Sequence, residues 1–132
     1  MNNRRFLVVD DNAEFANALA ALIRSRGYEC DAANSGREAL AIISDQDPVV
    51  ILTDLSMPGI DGADLCNLIR KLPGGESKLV FGVTGWPMEA VRDHIGKTTF
   101  DQVMRKPIGD DMLTAIFRYV GAPDQITAST ST

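Results

Sequence analysis

Asp10, Asp11, Asp54, Thr84 and Lys106 each follow an apolar run, and their side chains together make a set suited to handling a phosphoryl group. Asp54 closes the run Pro48-Val49-Val50-Ile51-Leu52-Thr53 and opens the loop Leu55-Ser56-Met57-Pro58-Gly59-Ile60-Asp61-Gly62. A buried strand that ends in a carboxylate and turns on Pro and Gly holds that carboxylate at the rim of a sheet. Three carboxylates gathered at one rim repel, since two unit charges about 4 Å apart cost on the order of 4 kcal/mol at an effective dielectric of about 20. Lys106 supplies one compensating charge. A hard divalent cation with oxygen ligands supplies the rest, and Mg²⁺ suits a site of one or two carboxylates, a carbonyl and waters. A carboxylate beside Mg²⁺, a lysine and a hydroxyl is equipped to accept a phosphoryl group, because the cations neutralise the transferring oxygens while the carboxylate attacks in line. Asp54 is the candidate nucleophile, with Thr84 to hydrogen-bond one phosphoryl oxygen and Lys106 to pair with another.

These residues meet only if the chain brings several strand ends together, and its patterning predicts that it does. Apolar runs alternate with helical periodicity five times. Strands are expected over 6–9, 28–33, 49–53, 78–83 and 100–104. The first helix carries Phe15, Leu19, Leu22 and Ile23 and stops at Gly27. Ser35 stands three residues before Glu38, a capping-box pattern opening a second helix with Ala39, Leu40 and Ile43 inward. Leu65, Leu68, Ile69 and Leu72 form the stripe of a third helix, which Pro73-Gly74-Gly75 breaks. Pro87 fits the first turn of a fourth, irregular helix with Met88, Val91 and Ile95. A fifth begins near Gly109-Asp110-Asp111 and carries Leu113, Ile116, Phe117 and Val120. Five such units with short connections make a parallel sheet covered on both faces, and ligands bind beyond the carboxyl ends of its strands.

The composition narrows the function classes. At 132 residues the chain suits one domain, 45% apolar and 23% charged residues are ordinary for a globular protein, and a net charge of -5 argues against nonspecific binding to nucleic acid or anionic membranes. The apolar stretch after Arg4-Arg5 is too short for a signal peptide, and no run approaches a membrane span, so a cytoplasmic address is expected. Cys30 and Cys66 are too isolated for a disulfide framework or a zinc motif and are expected to pack in the core. Gly74-Gly75 and Gly82 lack the following Lys-Ser/Thr of a nucleotide-binding loop.

Val8-Val9-Asp10-Asp11-Asn12, the segment from Leu52 to Gly62, Val83-Thr84-Gly85 and Arg105-Lys106-Pro107 together resemble the receiver domain of two-component response regulators. The resemblance covers residues 5–120. It implies a flavodoxin-like (βα)5 three-layer α/β sandwich with sheet order 2-1-3-4-5 and a receiver domain over 1–121, while the polar, aperiodic residues 122–132 are expected to form a flexible tail. It further implies that Asp54 is phosphorylated by a histidine kinase or histidine phosphotransfer protein, and that Asp10, Asp11, Asp54 and the Ser56 carbonyl arrange Mg²⁺. The Lys106-Pro107 bond is commonly cis in such domains. The implied activity is self-phosphorylation and autodephosphorylation rather than turnover of an external substrate, with an output surface on the fourth helix, fifth strand and fifth helix read by a partner protein. Two positions depart from the pattern. Val103 stands where receivers usually have an aromatic ring three residues before the lysine, and the lone tryptophan, Trp86, follows Thr84 by two residues.

Each residue also has a plainer reading. An Asp-Asp pair after a strand is often a helix cap, Thr84 alone is a loop threonine, and Lys106 alone is a surface lysine. Trp86 could equally cap the fourth helix as an apolar lid. His94, the only histidine, is expected to pack or face solvent rather than carry phosphate. Two other functions compete: a Mg²⁺-dependent phosphohydrolase working through an aspartyl phosphate, which commonly has Asp where this chain has Ser56, and a receiver-like binding module indifferent to phosphate. No DNA-binding or catalytic output domain is expected in the remaining residues.

Overall fold

The alternating runs become five strands and five α-helices in the computed structural model, which describes residues 5–121. In chain order these are β1 (Phe6–Val9), α1 (Ala13–Ser25), β2 (Cys30–Ala33), α2 (Gly36–Gln46), β3 (Val50–Asp54), α3 (Gly62–Lys71), β4 (Leu79–Thr84), α4 (Met88–Ile95), β5 (Gln102–Arg105) and α5 (Asp110–Tyr119). A single 3-10 turn, Gly75–Ser77, lies between α3 and β4. The expected tail over 122–132 lies outside the described residues.

All strand pairs are parallel and the order is β2-β1-β3-β4-β5, as expected. Every residue of β1 and β3 is buried, which is why β1 and the first three residues of β3 read as continuous apolar runs rather than as alternating patterns. Successive side chains point to opposite faces. Phe6 and Val8 therefore join Leu19, Ile23, Leu113, Ile116 and Phe117 beneath α1 and α5. Leu7 and Val9 join Ala39, Ile43, Leu65 and Ile69 beneath α2 and α3. On the edge strand β5 no residue is fully buried.

Local chemistry sets the helix starts. Asn12 caps α1 by accepting from Phe15 N at 3.1 Å, so the cap is neither of the aspartates before it. Ser35 accepts from Glu38 N at 3.0 Å, while the Glu38 carboxylate reaches back to Asn34 N at 2.7 Å, one residue earlier than a standard capping box. Asp61 caps α3 through Asp64 N at 2.8 Å.

Several boundaries and stripes differ from expectation. Pro87 is the N-cap of α4 rather than a first-turn residue. Tyr28 lies outside β2, its ring stacked on Phe117 with centroids 4.5 Å apart, and the ladder starts instead where Cys30 pairs with Phe6. β3, β4 and β5 each run one residue further than expected, ending at Asp54, Thr84 and Arg105. Leu22, Leu68 and Leu72 follow the helical period but are exposed, at the margins of their stripes. Both cysteines are free and buried, and burial pushes the Cys30 thiol up to about 12.

Candidate functional site at the carboxyl rim of the sheet

The three central strands deliver acids and a hydroxyl to one rim. Asp54 is the last residue of β3, Thr84 the last of β4, and Asp10 follows β1 directly. Asp54 pairs in register with Val83, so Thr84 stands one step further along the neighbouring strand. Lys106 follows β5 and donates its backbone N–H to Thr84 O at 2.8 Å. Its peptide bond to Pro107 is cis, as the resemblance implied. Asp10, Asp54 and Thr84 are buried, with only 2%, 9% and 1% of their surface exposed, whereas Asp11 is exposed.

The Lys106 ammonium joins these groups. It lies 2.9 Å from Asp10 Oδ2 and 3.7 Å from Asp54 Oδ1, and 4.4 Å from the centre of the Phe15 ring on α1. Asp10 is bound on its other side, where Oδ1 accepts from Asn12 N at 2.9 Å. Its backbone carbonyl accepts from Asn34 Nδ2 at 3.0 Å, which ties the β1 and β2 ends together. Burial, and then the charge of Asp10, push the Asp54 carboxyl above the usual carboxylate range, against the pull of Lys106 and a hydrogen bond from the Ser56 backbone.

The same acids fit a divalent cation. Asp10, Asp11 and Asp54 each offer a carboxylate oxygen, all within 4.8 Å of one another, and they are the only such group of acids, histidines or cysteines among the described residues. Three carboxylates converging on one point suit a hard divalent cation such as Mg²⁺ in charge and donor type. An all-oxygen donor set excludes a preference for softer metals.

The loop that follows Asp54 is pressed against the strand. A Cβ at Gly62 would overlap the Asp54 carbonyl oxygen and lie 2.8 Å from Leu55 Cα, and Gly62 N donates to Leu55 O at 3.0 Å. On the β4 side, Thr84 Oγ1 accepts from Trp86 N at 3.0 Å. Val103 is half-buried, and Leu55 Cδ2, Val103 Cγ2 and Phe100 Cε1 crowd within 3.1, 3.3 and 3.5 Å of the point a Cβ at Gly82 would occupy. At the position where receivers usually carry an aromatic, this chain thus has a half-buried valine packed near Gly82 and Phe100.

All five sequence-predicted side chains, Asp10, Asp11, Asp54, Thr84 and Lys106, gather at this rim. Sequence reasoning missed Phe15 as the seat of the Lys106 ammonium, Asn34 as the brace of Asp10, and Asp61 as the partner of His94. Phe15 carries a signal in retrospect, since it sits one helical turn past Asn12 and so faces back toward the end of β1. Asn34 and Asp61 give none beyond turn chemistry.

A family model described as the response regulator receiver domain matches residues 6–118. The chain is 35% identical over 107 residues to the sensor histidine kinase RcsC of Salmonella typhimurium, covering 81% of this chain and 11% of that protein. It is 40% identical over 77 residues to a response regulator receiver protein of Anaeromyxobacter, covering 58% of this chain and 32% of that relative. It therefore spans about a third or less of the length of both. Among solved structures, the fold matches chemotaxis protein CheY4 of Vibrio cholerae with a TM-score of 0.82 at 22% identity, over 90% of this chain and 99% of that one. The receiver domain of a Pseudomonas aeruginosa sensor histidine kinase, solved with magnesium coordinated in its active-site cleft, matches with a TM-score of 0.82 at 24% identity, over 92% and 100%. With the family match running from β1 almost to the end of α5, the chain belongs to the response regulator receiver domains, the phosphoacceptor units of two-component signalling.

Proposed function

We propose that Asp54 is the phosphoryl acceptor and that its donor is a phosphohistidine on a histidine kinase or a histidine phosphotransfer protein. The observation that carries this reading is the unequal division of Lys106. Its ammonium is hydrogen-bonded to Asp10 at 2.9 Å but only in ion-pair range of Asp54 at 3.7 Å, so Asp54 is the buried acid whose oxygens are least committed. An Asp54 oxygen forms the new bond to phosphorus as the P–N bond of the donor breaks, and the departing imidazole nitrogen keeps the electron pair and takes a proton from solvent. The Thr84 hydroxyl, already accepting from Trp86 N, keeps its own proton to donate to a phosphoryl oxygen. Lys106 pairs with another.

Asp10, Asp11, Asp54 and the Ser56 carbonyl are the residues that would hold Mg²⁺. Bound there, the ion neutralises charge on the phosphoryl oxygens. The activity is that of a switch, self-phosphorylating and autodephosphorylating without an external product. Its output is a changed surface on α4, β5 and α5 read by another protein, by a shift between conformers that phosphoryl contacts favour unequally. Trp86 takes the aromatic part that Val103 cannot. The net charge of -5 speaks against nucleic acid as the partner of this domain. A cytoplasmic site of action fits the two free cysteines and a kinase donor. No helix among the described residues is long and apolar enough to cross a membrane.

Incubation with a small phosphodonor and Mg²⁺, followed by intact-mass measurement, should add one phosphate to the protein and none to Asp54→Ala. Full labelling of that variant would remove Asp54 from the role.

A further inference from the structure

Trp86 is held from two directions. Its backbone N–H donates to Thr84 Oγ1 at 3.0 Å, and its indole meets the His94 ring edge-on, with centroids 4.9 Å apart and planes at 90°. His94 lies near the end of α4, and its Nε2 stands 3.1 Å from Asp61 Oδ2. The second oxygen of Asp61 caps α3. A continuous line of contacts thus runs from Thr84 through Trp86 and His94 to the N-terminus of α3. The His94 and Asp61 side chains are 31% and 25% exposed, and an edge-to-face ring pair next to a part-exposed polar contact is weak enough to open and close.

We propose that His94 and Asp61 are positioning residues for Trp86, clasping the β4–α4 loop to the N-terminus of α3 and so holding the Thr84 hydroxyl in its unphosphorylated place. The inference rests on the assignment of Asp54 as acceptor and Thr84 as its phosphoryl ligand. When Thr84 turns toward a phosphoryl group it draws on the Trp86 N–H, and the indole leaves the edge of His94. The clasp opposes that movement. It sets how much of the population rests in the unengaged state, and α4 and the start of α3 become the elements that feel phosphorylation first.

The test is a titration of the full chain with beryllofluoride in Mg²⁺, read by calorimetry and by the fluorescence of Trp86. His94→Ala removes the ring, and Asp61→Ser removes the carboxylate while keeping a competent helix cap. Each should tighten apparent beryllofluoride affinity by roughly twofold to tenfold, the span expected for losing one weak ring or polar contact. In a Thr84→Ala background His94→Ala should change nothing, because the link between clasp and site is gone. Unchanged or weaker affinity in both single variants, with a responsive wild type, overturns the clasp alone. So does equal tightening in the Thr84→Ala background. A wild type that does not bind beryllofluoride overturns the acceptor assignment and the clasp with it.

Discussion

Lys106 Nζ lies 2.9 Å from Asp10 Oδ2, so the only ammonium that the described residues bring to the three acids is already engaged by an acid that is 2% exposed and bonded to Asn12 N. Asp54 and Asp11 thus share the pocket with less than one full counter-charge, and the apoprotein holds unrelieved repulsion until a cation arrives. Stability and ligand affinity should therefore trade against each other across the site.

Asp11→Asn removes one of the repelling charges from an exposed position. The metal-free variant should melt roughly 2–4 °C above the wild type. In Mg²⁺ at about 100 times the wild-type dissociation constant, the wild type should gain about 2.7 kcal/mol and the variant far less. Differential scanning calorimetry with and without Mg²⁺ checks both halves, and an Asn variant stabilised by Mg²⁺ as much as the wild type would remove Asp11 from the ligand set.

The raised Asp54 carboxyl gives a pH dependence of definite sign. The folded state binds this proton more tightly than the unfolded chain, so Asp54 favours folding at low pH, and that contribution is lost as pH rises through its elevated folded value. Without Mg²⁺, the stability difference between wild type and Asp54→Asn should therefore shift against the wild type with rising pH. Mg²⁺ affinity should move the other way, weakening as falling pH protonates Asp54. Chemical denaturation and Mg²⁺ titration at a series of pH values give the two slopes.

Gly62→Ala should disrupt the site without touching any of its side chains. A Cβ there meets the backbone of Asp54 and Leu55, which has no flexible end to yield, so a loss of about 2–3 kcal/mol is expected. The shifted β3–α3 turn should also weaken Mg²⁺ binding by about tenfold. Gly59→Ala is the contrast: its φ of +76° makes alanine strained, but nothing lies near the new methyl, so the cost should stay at about 1–2 kcal/mol.

Lys78 tests the opposite end of the sheet. This buried lysine donates to Asp47 Oδ1 and Pro48 O, both at 2.6 Å. Lys78→Ala leaves the buried Pro48 carbonyl without that donor and should cost about 2–3 kcal/mol. Mg²⁺ affinity should stay within about twofold of wild type, since partnerless distant sites rarely couple.

The sequence makes the rim legible for a physical reason. A parallel strand buried on both faces is apolar for most of its length, so a charged residue at the end of such a run marks a strand end, and Asp10 and Asp54 stand out against Phe6 to Val9 and Val50 to Leu52, whereas Lys106 follows the partly exposed β5 and is marked instead by the Pro107 after it. Contacts between distant segments leave no such mark. Tyr28 is an apolar residue beside a strand, and only the Phe6 and Phe117 rings packed around it show why the ladder starts later. Periodicity finds the centre of a helical stripe but not its width, which is how Leu22, Leu68 and Leu72 come to lie outside. His94 is a solitary histidine in sequence. It becomes a link only because the fold lays α4 beside Asp61.

Arg70, near the end of α3, reaches across to Gly75 O, Lys78 O, Thr99 O and the Asp101 carboxylate, and Asp101 in turn accepts from Val80 N. One guanidinium thereby laces the entry points of β4 and β5 to the helix, at the end of the strands opposite Asp54. The two strands are thus anchored to a helix at their entry ends, while at their exit ends they are joined to each other, through Lys106 N to Thr84 O at 2.8 Å and Arg105 Nη2 to Gly85 O at 3.3 Å. The segments next to Thr84 and Lys106 are therefore α4 and the loops that carry Trp86 and Pro107, and the Arg70 anchor lies a whole strand length away from them.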